Sequence, residues 1–202
     1  MPAAATTLYS DLGPNNAYNP TTELDIAGST SIYAFSNNSV GQTVAEEFTI
    51  SGIGPTPVSE IELAVSNIIG LDTFYAGIFS DNGGVPGTEV PDALWDLSTN
   101  IGSGTCCNLV AIDVTGVTLT PGVEYFLVLG PQSNSDSSWN GWNLNSQGAT
   151  GVSLVSDNGG TTWTGAQTTT LAAFAILSPE PGSWLMIAFG AAAIITRARY
   201  KR

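Results

Sequence analysis

Apolar and polar residues alternate along much of the chain with the two-residue period of β-strands. The alternation is clearest at 59–66, and it is weaker at 44–50, where Glu46, Phe48 and Ile50 share one face. Further strands are predicted at 110–114, 117–119, 152–154 and 171–177. No stretch before residue 179 shows the 3.6-residue period of an amphipathic helix.

Two segments, 74–79 and 125–129, are apolar at nearly every position, which predicts central strands covered on both faces. The turn sequence Ser-Asp-Asn-Gly-Gly occurs twice, at 80–84 and 156–160. Its Asn-Gly pair is expected to supply the positive φ angles of a tight hairpin. Many short strands separated by such turns predict an all-β domain over 6–177. The expected architecture is an antiparallel two-sheet sandwich, jelly-roll-like.

The segment 178–202 differs from everything before it. Pro179-Glu180-Pro181 is followed by an uncharged run at 182–196 and by a basic end at 197–202. The chain has four Lys and Arg residues, and all of them lie in that end: Arg197, Arg199, Lys201 and Arg202. Both signs of charge normally mix over a protein surface, so this separation indicates a segment with its own role.

The uncharged run predicts a short transmembrane helix. Its 15 residues would span roughly 22 Å as a helix, and snorkelling basic side chains with local bilayer thinning would make up the rest of the ~30 Å core. Trp184 lies where an interfacial aromatic belongs, and the basic end predicts a cytoplasmic C-terminus. By length alone a buried core helix is the alternative. The terminal position and the exclusive basic cluster favour the membrane.

Taken together, Pro179-Glu180-Pro181, the apolar run and the basic end resemble the PEP-CTERM sorting signal of Gram-negative bacteria. The resemblance covers about 24 residues. It implies recognition and cleavage near the motif by an exosortase, a membrane cysteine protease of transpeptidase type. It also implies anchoring in the inner membrane before processing, then a cell-surface or extracellular location, often in association with exopolysaccharide and biofilm.

The body before this segment resembles the choice-of-anchor type of bacterial surface domain. The resemblance rests on the residues at 79–87, Phe-Ser-Asp-Asn-Gly-Gly-Val-Pro-Gly, and on the adjacent cysteines. It implies no activity. Residues 1–6 lack the basic and apolar regions of a signal peptide, so we expect a trimmed or misassigned start and a mature domain that begins near Thr6. A chain that is not exported is the alternative.

The charge of the body excludes one large class of function. Of the 17 acidic residues only Glu180 follows Ser178, so the body carries 16 acidic residues and no Lys or Arg. Binding to a phosphate backbone requires Lys and Arg. We therefore expect no nucleic-acid partner, and an anionic surface of this density is typical of a secreted protein that must stay soluble.

Few residues are candidates for catalysis. The chain has no His, which excludes Ser-His-Asp and Cys-His catalysis and His-ligated zinc. It has no phosphate-binding glycine loop with Lys, and we predict no cofactor. Two carboxylate pairs, Glu46 with Glu47 and Glu60 with Glu62, have a spacing that suits a glycoside hydrolase, a minor alternative. Both are better explained as exposed strand faces, and we predict that the protein is not an enzyme.

The two cysteines, Cys106 and Cys107, are adjacent. In an oxidising compartment they could form a vicinal disulfide at the edge of a loop, and the alternatives are two thiols or an intermolecular link. A structural role is favoured because no Cys-x-x-Cys spacing is present. Asp81 and Asp157 are weak calcium candidates, since their loops lack the full calcium-binding pattern and plain hairpin turns explain them better. No metal site is predicted.

The most suggestive binding feature is a predicted loop, the polar, Gly-containing stretch Ser-Trp-Asn-Gly-Trp-Asn at 138–143, with Trp163 soon after it. Sugars stack on exposed indole rings, and Asn side chains can bond their hydroxyls. Trp139, Trp142 and Trp163 are thus candidates for carbohydrate binding. The alternative is that Trp139 or Trp142 caps the sandwich core, because a strand would send them to opposite faces. The sequence therefore leaves a passive surface or matrix protein and a polysaccharide-binding module as the two main hypotheses.

Overall fold

The computed structural model describes residues 5–31, 41–102 and 104–179, and of 105–108 and 166–167 it describes the backbone. These ranges contain fourteen β-strands, one short 3-10 helix (Pro14–Asn16) and no α-helix. The strands are β1 (Thr6–Ser10), β2 (Tyr18–Ala27), β3 (Thr43–Thr49), β4 (Thr56–Pro57), β5 (Glu60–Ile69), β6 (Thr73–Asp81), β7 (Pro86–Ser98), β8 (Thr105–Asp113), β9 (Thr118–Leu119), β10 (Glu124–Gly130), β11 (Trp139–Asn145), β12 (Thr150–Ser156), β13 (Thr164–Thr170) and β14 (Phe174–Ser178).

The strands form two six-stranded sheets. Sheet one has the order β1-β14-β5-β11-β2, and β8 pairs with the other edge of β5. Sheet two has the order β13-β12-β3-β10-β6-β7, and β4 pairs with β9 in a small ribbon. Every pairing between described strands is antiparallel. The structure thus confirms the all-β antiparallel class.

A hydrophobic core lies between the two sheets. Sheet one contributes Ile61, Leu63 and Phe174, and sheet two contributes Phe48 and Leu127, all at most 2% exposed. Burial of each side chain of this size contributes about 1.5–3 kcal/mol relative to leaving it in water. The two sheets therefore pack as a sandwich whose main stabilising term is this shared core.

Sheet two is also apolar on its outer face. Along β10, Tyr125, Leu127 and Leu129 face the core between the sheets, while Phe126 and Val128 belong to a separate cluster on the opposite side. This second cluster, called here the outer cluster, has Ala45, Phe126, Val128 and Leu154 buried and Tyr75, Phe79, Val85, Val152 and Trp163 packed on them. Both β6 and β10 have a neighbour on each side, so the prediction of central strands at 74–79 and 125–129 is confirmed.

The alternating segments also form strands, as predicted, in β3, β5, β8, β9, β12 and β14. The stretch 138–143 was expected to be a loop, and this expectation is wrong. Residues from Trp139 onward form β11, which pairs with β2 on one side and β5 on the other. This strand is held by hydrogen bonds to a neighbouring strand on each side. Its sequence lacks apolar alternation, so the pattern did not predict a strand.

The two repeated turns connect β6 to β7 and β12 to β13. In both, the positive φ angles belong to the glycine pair, Gly83 with Gly84 and Gly159 with Gly160, and not to the Asn-Gly pair as predicted. The first turn is a four-residue loop, 82–85, and not a two-residue Asn-Gly hairpin, and the Asn82 amide donates to the Val85 carbonyl at 2.9 Å. The Asp81 carboxylate accepts hydrogen bonds from the amides of both glycines, at 3.2 and 2.7 Å.

Candidate functional site

A large cleft lies at a lateral opening of the sandwich. It has a volume of about 510 Å3 and separates the end of β1 from β3 and the start of β12. Its walls include Tyr9, Asp11, Glu47, Phe48, Gln147 and Leu171. We call it the lateral cleft. A cleft of this size with titratable walls is the usual starting point for a search for function.

Behind this cleft a carboxyl group lies inside the core. Glu46 is 0% exposed, and it shares the inward face of β3 with Val44 and Phe48, which belong to the main core. The Ser153 hydroxyl donates a hydrogen bond to Glu46 Oε1 at 2.9 Å. The expectation that Glu46 lies on an exposed strand face is therefore wrong, because the alternation at 44–50 turns this residue inward with its apolar neighbours.

Asp11 lies next to the Glu46 site and lines the lateral cleft with the 5% of its surface that remains exposed. Its Oδ1 accepts a hydrogen bond from the Phe174 amide at 2.7 Å, and its own amide donates to the Phe174 carbonyl at 3.2 Å. The Tyr9 hydroxyl lies 3.5 Å from Asp11 Oδ2. The Tyr9 ring stacks on Phe174, with centroids 4.7 Å apart. These contacts tie the segment after β1 to the start of β14.

Burial shifts the ionisation of all three groups. Desolvation raises the pKa of Asp11 to about 7, against the lowering effect of its hydrogen bonds to Phe174 and Tyr9. Desolvation also raises the pKa of Glu46 well above its usual value, and the Asp11 charge adds to the shift. The pKa of the Tyr9 phenol is raised by burial and by both carboxylates. No Lys or Arg precedes Arg197 in the chain, so no basic side chain of the sandwich can offset these shifts.

The chemistry open to this site is the binding of a proton by Asp11 near neutral pH. Asp11 has a surface in the lateral cleft and titrates near neutrality. Glu46 has no exposed surface and cannot touch a bound molecule. Glycoside hydrolysis needs two carboxyl groups that face the same bond, and Asp11 with Glu46 do not provide that arrangement. Glu60 and Glu62 are half-buried on the face of β5 opposite Ile61 and Leu63.

The structure separates the three tryptophans that the sequence singled out. Trp142 is 0% exposed in the main core, 5.6 Å from the Phe174 ring, and its Nε1 donates to the Ala173 carbonyl at 3.1 Å. A role for Trp142 in sugar binding is therefore incompatible with this fold. Trp139 is half-buried on the opposite face, where its Nε1 donates to Asp25 Oδ1 at 2.7 Å. Their placement on opposite faces is the one that strand geometry predicted.

Trp163 packs on a different sheet from the one that contains the other two. It follows the β12–β13 turn and packs on the outer cluster of sheet two. It lines a small cleft of about 160 Å3 with Tyr75, Phe79 and Val128. We call this the outer cleft. The three tryptophans therefore do not form one surface.

The remaining predicted site residues are placed as follows. Cys106 and Cys107 lie in strand β8 and not at the edge of a loop as expected. They occupy the point where the pairing moves from Val65–Asn108 to Asn67–Thr105 and the ladder shifts register. Their side chains lie outside the description, and the vicinal disulfide stays a prediction. Asp81 binds its own turn, as described above, and Asp157 occupies the β12–β13 turn. Among the described residues no group of three or more His, Cys, Asp or Glu side chains is placed to hold a metal ion.

The predicted sorting segment lies almost wholly outside the described residues. Pro179 is the last of them, so Glu180, Pro181, the apolar run and the basic cluster receive no structural account. In the described part of the chain, no helix has the length and hydrophobicity to cross a bilayer.

Of the three titratable residues Tyr9, Asp11 and Glu46, the first two were not identified as candidates from the sequence. Tyr9 and Asp11 belong to a segment for which no strand was predicted, and β1 has only one buried residue, Leu8, to signal it. Glu46 did leave a signal. It shares a strand face with Phe48 and Ile50, and a carboxyl group on an otherwise apolar face indicates a buried acid.

Comparisons with known proteins add little to this picture. No protein-family model and no curated protein matches the chain. Among solved structures, the chain is similar to the cysteine protease and lectin-like domains of Cwp84, a surface layer associated protein of Clostridium difficile. The identity is 13% and the TM-score is 0.43, over 69% of this chain and 32% of the other. The chain thus spans about a third of that protein's length, and a likeness this low supports no functional statement.

Proposed function

We propose that this chain is an exported, non-enzymatic protein of the cell surface or extracellular matrix, sorted through the segment 178–202. One observation carries the proposal. Every Lys and Arg of the chain lies in the six residues 197–202, directly after an uncharged run, and none lies in the sandwich. A basic cluster beside an apolar segment orients a membrane helix with its basic end in the cytoplasm. The sandwich would then lie on the other side of the membrane.

The end of the sandwich supports this division. The last strand, β14, ends at Ser178, and Pro179 follows directly. Proline lacks the amide that would continue a strand ladder. The motif Pro179-Glu180-Pro181 therefore begins directly after the last strand that the structure describes, a position that suits the recognition sequence of a processing enzyme. An exosortase is the proposed partner, and exopolysaccharide is the proposed environment after processing.

The intact mass of the protein from its own host, with and without exosortase, tests the proposal. We expect loss of the tail near residues 179–181 in the host with the enzyme and a full-length chain in the host without it. A variant with Pro179→Ala and Pro181→Ala should keep the tail in both hosts. Pro121→Ala, in a turn far along the sequence, is the matched control and should be processed normally. A full-length tail in both hosts would overturn the sorting proposal.

A further inference from the structure

The outer face of sheet two has a feature that the proposed sorting does not explain. In a sandwich, side chains that point away from the core alternate with the core residues and are normally polar. Here Tyr75, Phe79 and Trp163 pack on that outer face and stay partly exposed. They come from β6 and from the residue before β13, so two separate parts of the chain converge on one place.

Small residues leave the space between these rings open. The outer cleft is lined by Gly87, Gly159 and Gly160 in addition to the aromatic residues. A Cβ atom on Gly160 would lie 3.6 Å from Cζ2 of Trp163, so glycine there keeps a side chain from packing against this edge of the indole. Gly160 also has a φ of +85°, which favours glycine over other residues. The cleft is thus formed by the turn and the strands together.

Two polar side chains lie next to the glycines that line the outer cleft. The Asn134 side-chain amide lies directly beside Gly159. The Ser80 hydroxyl lies beside Gly87, where it exchanges hydrogen bonds with the backbone of Thr88. A sugar suits an aromatic cleft with an amide beside it, because its C–H face stacks on rings while its hydroxyls form hydrogen bonds.

Charge narrows the class of ligand. No Lys or Arg occurs in the described residues. On the same face of sheet two, Glu47 pairs with Phe126, whose partner on the other side is Phe79. Glu124 and Asp81 each lie two residues from one of these phenylalanines, so the three acids are neighbours. Burial and then the charges of Glu124 and Asp81 raise the pKa of Glu47. An anionic polymer would meet repulsion without a single basic partner. An uncharged ligand is not repelled by these acids and needs no basic partner.

We propose that the outer cleft binds one sugar ring of an uncharged polysaccharide by stacking on Trp163, Tyr75 and Phe79. The volume of about 160 Å3 suits a single ring and not an enclosed oligosaccharide, so the neighbouring rings of the polymer lie outside the cleft. This site depends on the sandwich alone and does not require that the chain be sorted or cleaved.

Binding of the full chain to soluble polysaccharides tests the site. The probes are a neutral α-glucan, a neutral β-glucan, a neutral galactomannan and anionic alginate, measured by retardation in native gels and by titration calorimetry. A polyoxyethylene detergent keeps the chain soluble, because sugar-based detergents would compete. We expect binding to at least one neutral polymer and none to alginate.

Three variants locate the binding. Trp163→Leu keeps an apolar group on the outer cluster but removes the flat ring, and it should weaken binding about tenfold or more, the equivalent of about 1.4 kcal/mol. Trp163→Phe, which keeps a ring, should retain part of the affinity even if the Leu variant folds poorly. Trp139→Phe, on the other sheet, is the matched control and should bind like the parent chain. No binding to any neutral probe, or equal binding by folded Trp163→Phe and Trp163→Leu variants, would overturn the proposal, as would preference for alginate.

Discussion

The buried carboxyl groups predict that this domain becomes less stable as the pH rises from acidic to neutral. Asp11 has a folded-state pKa of about 7 against an ordinary value of 3.8. Because the folded value is the higher one, the folded state binds the proton more tightly than the unfolded state does. The stabilising contribution is complete below pH ~4, falls as the pH rises, and is gone above pH ~7. Glu46 acts in the same direction.

The magnitude for Asp11 follows from the size of the shift. A change of about three pKa units corresponds to about 4 kcal/mol at 1.36 kcal/mol per unit. The variant Asp11→Asn cannot ionise, and its Oδ1 can still accept the hydrogen bond from the Phe174 amide. We therefore expect the variant to match the parent near pH 4 and to be more stable by about 4 kcal/mol at pH 8. In a chain of this length that equals about 8–16 °C in Tm.

Thermal unfolding followed by tryptophan fluorescence measures this difference, because Trp142 is fully buried in the core. The quantity of interest is Tm of Asp11→Asn minus Tm of the parent, at pH values from 4 to 8. Asp96→Asn removes an exposed carboxyl group from β7 and serves as the control for the general effect of net charge. A difference that stays constant across the pH range, or that is as large in Asp96→Asn, would refute the reasoning.

Three further predictions concern stability and can be checked by chemical denaturation. Ser153→Ala removes the hydroxyl that bonds Glu46 Oε1 and should cost about 1–3 kcal/mol, because a buried acid loses its partner; an unchanged midpoint would contradict this. Trp142→Ala should cost about 3–5 kcal/mol through the cavity it leaves in the main core, whereas Trp139→Ala should cost clearly less. Gly84→Ala should cost about 1–2 kcal/mol, since Gly84 has a φ of +89°, while Ala substitution at Gly87, where φ is not positive, tests whether crowding alone has the same effect.

The sequence was sufficient to predict most of the strands that lie in the interior of the sheets; the exception is β11, whose polar residues were expected to form a loop. β3, β5, β6 and β10 contain alternating or continuous apolar residues, because they are covered on one face or both. The edge strands β2 and β7 carry many polar and charged residues and were not predicted. An edge strand needs few apolar side chains, since one long side of it is open to water.

The candidate sites were harder to predict than the fold because both depend on pairing between distant strands. Asp11 and Glu46 meet only because β1 and β3 lie in opposite sheets at the same lateral opening. Trp163 lies near Tyr75 and Phe79 only because the β12–β13 turn and β6 belong to the same sheet and place these rings on its outer face. Neither juxtaposition has a local sequence signal. The inward orientation of Glu46, by contrast, follows from the alternation in its own strand, where it shares a face with Phe48 and Ile50.

The position of β14 has a consequence for how the chain folds. This last strand lies between the first strand, β1, and β5, with Ser178 opposite Thr6. Sheet one therefore cannot be completed until nearly all of the described sandwich has been synthesised, because among the described strands β1 pairs with β14 alone. A sheet that depends on pairing between the two ends of a domain forms more slowly than one built from consecutive hairpins. The same strand joins Ser178 to the start of the sandwich, so tension applied beyond residue 178 would load the hydrogen bonds of β14 to both of its neighbours.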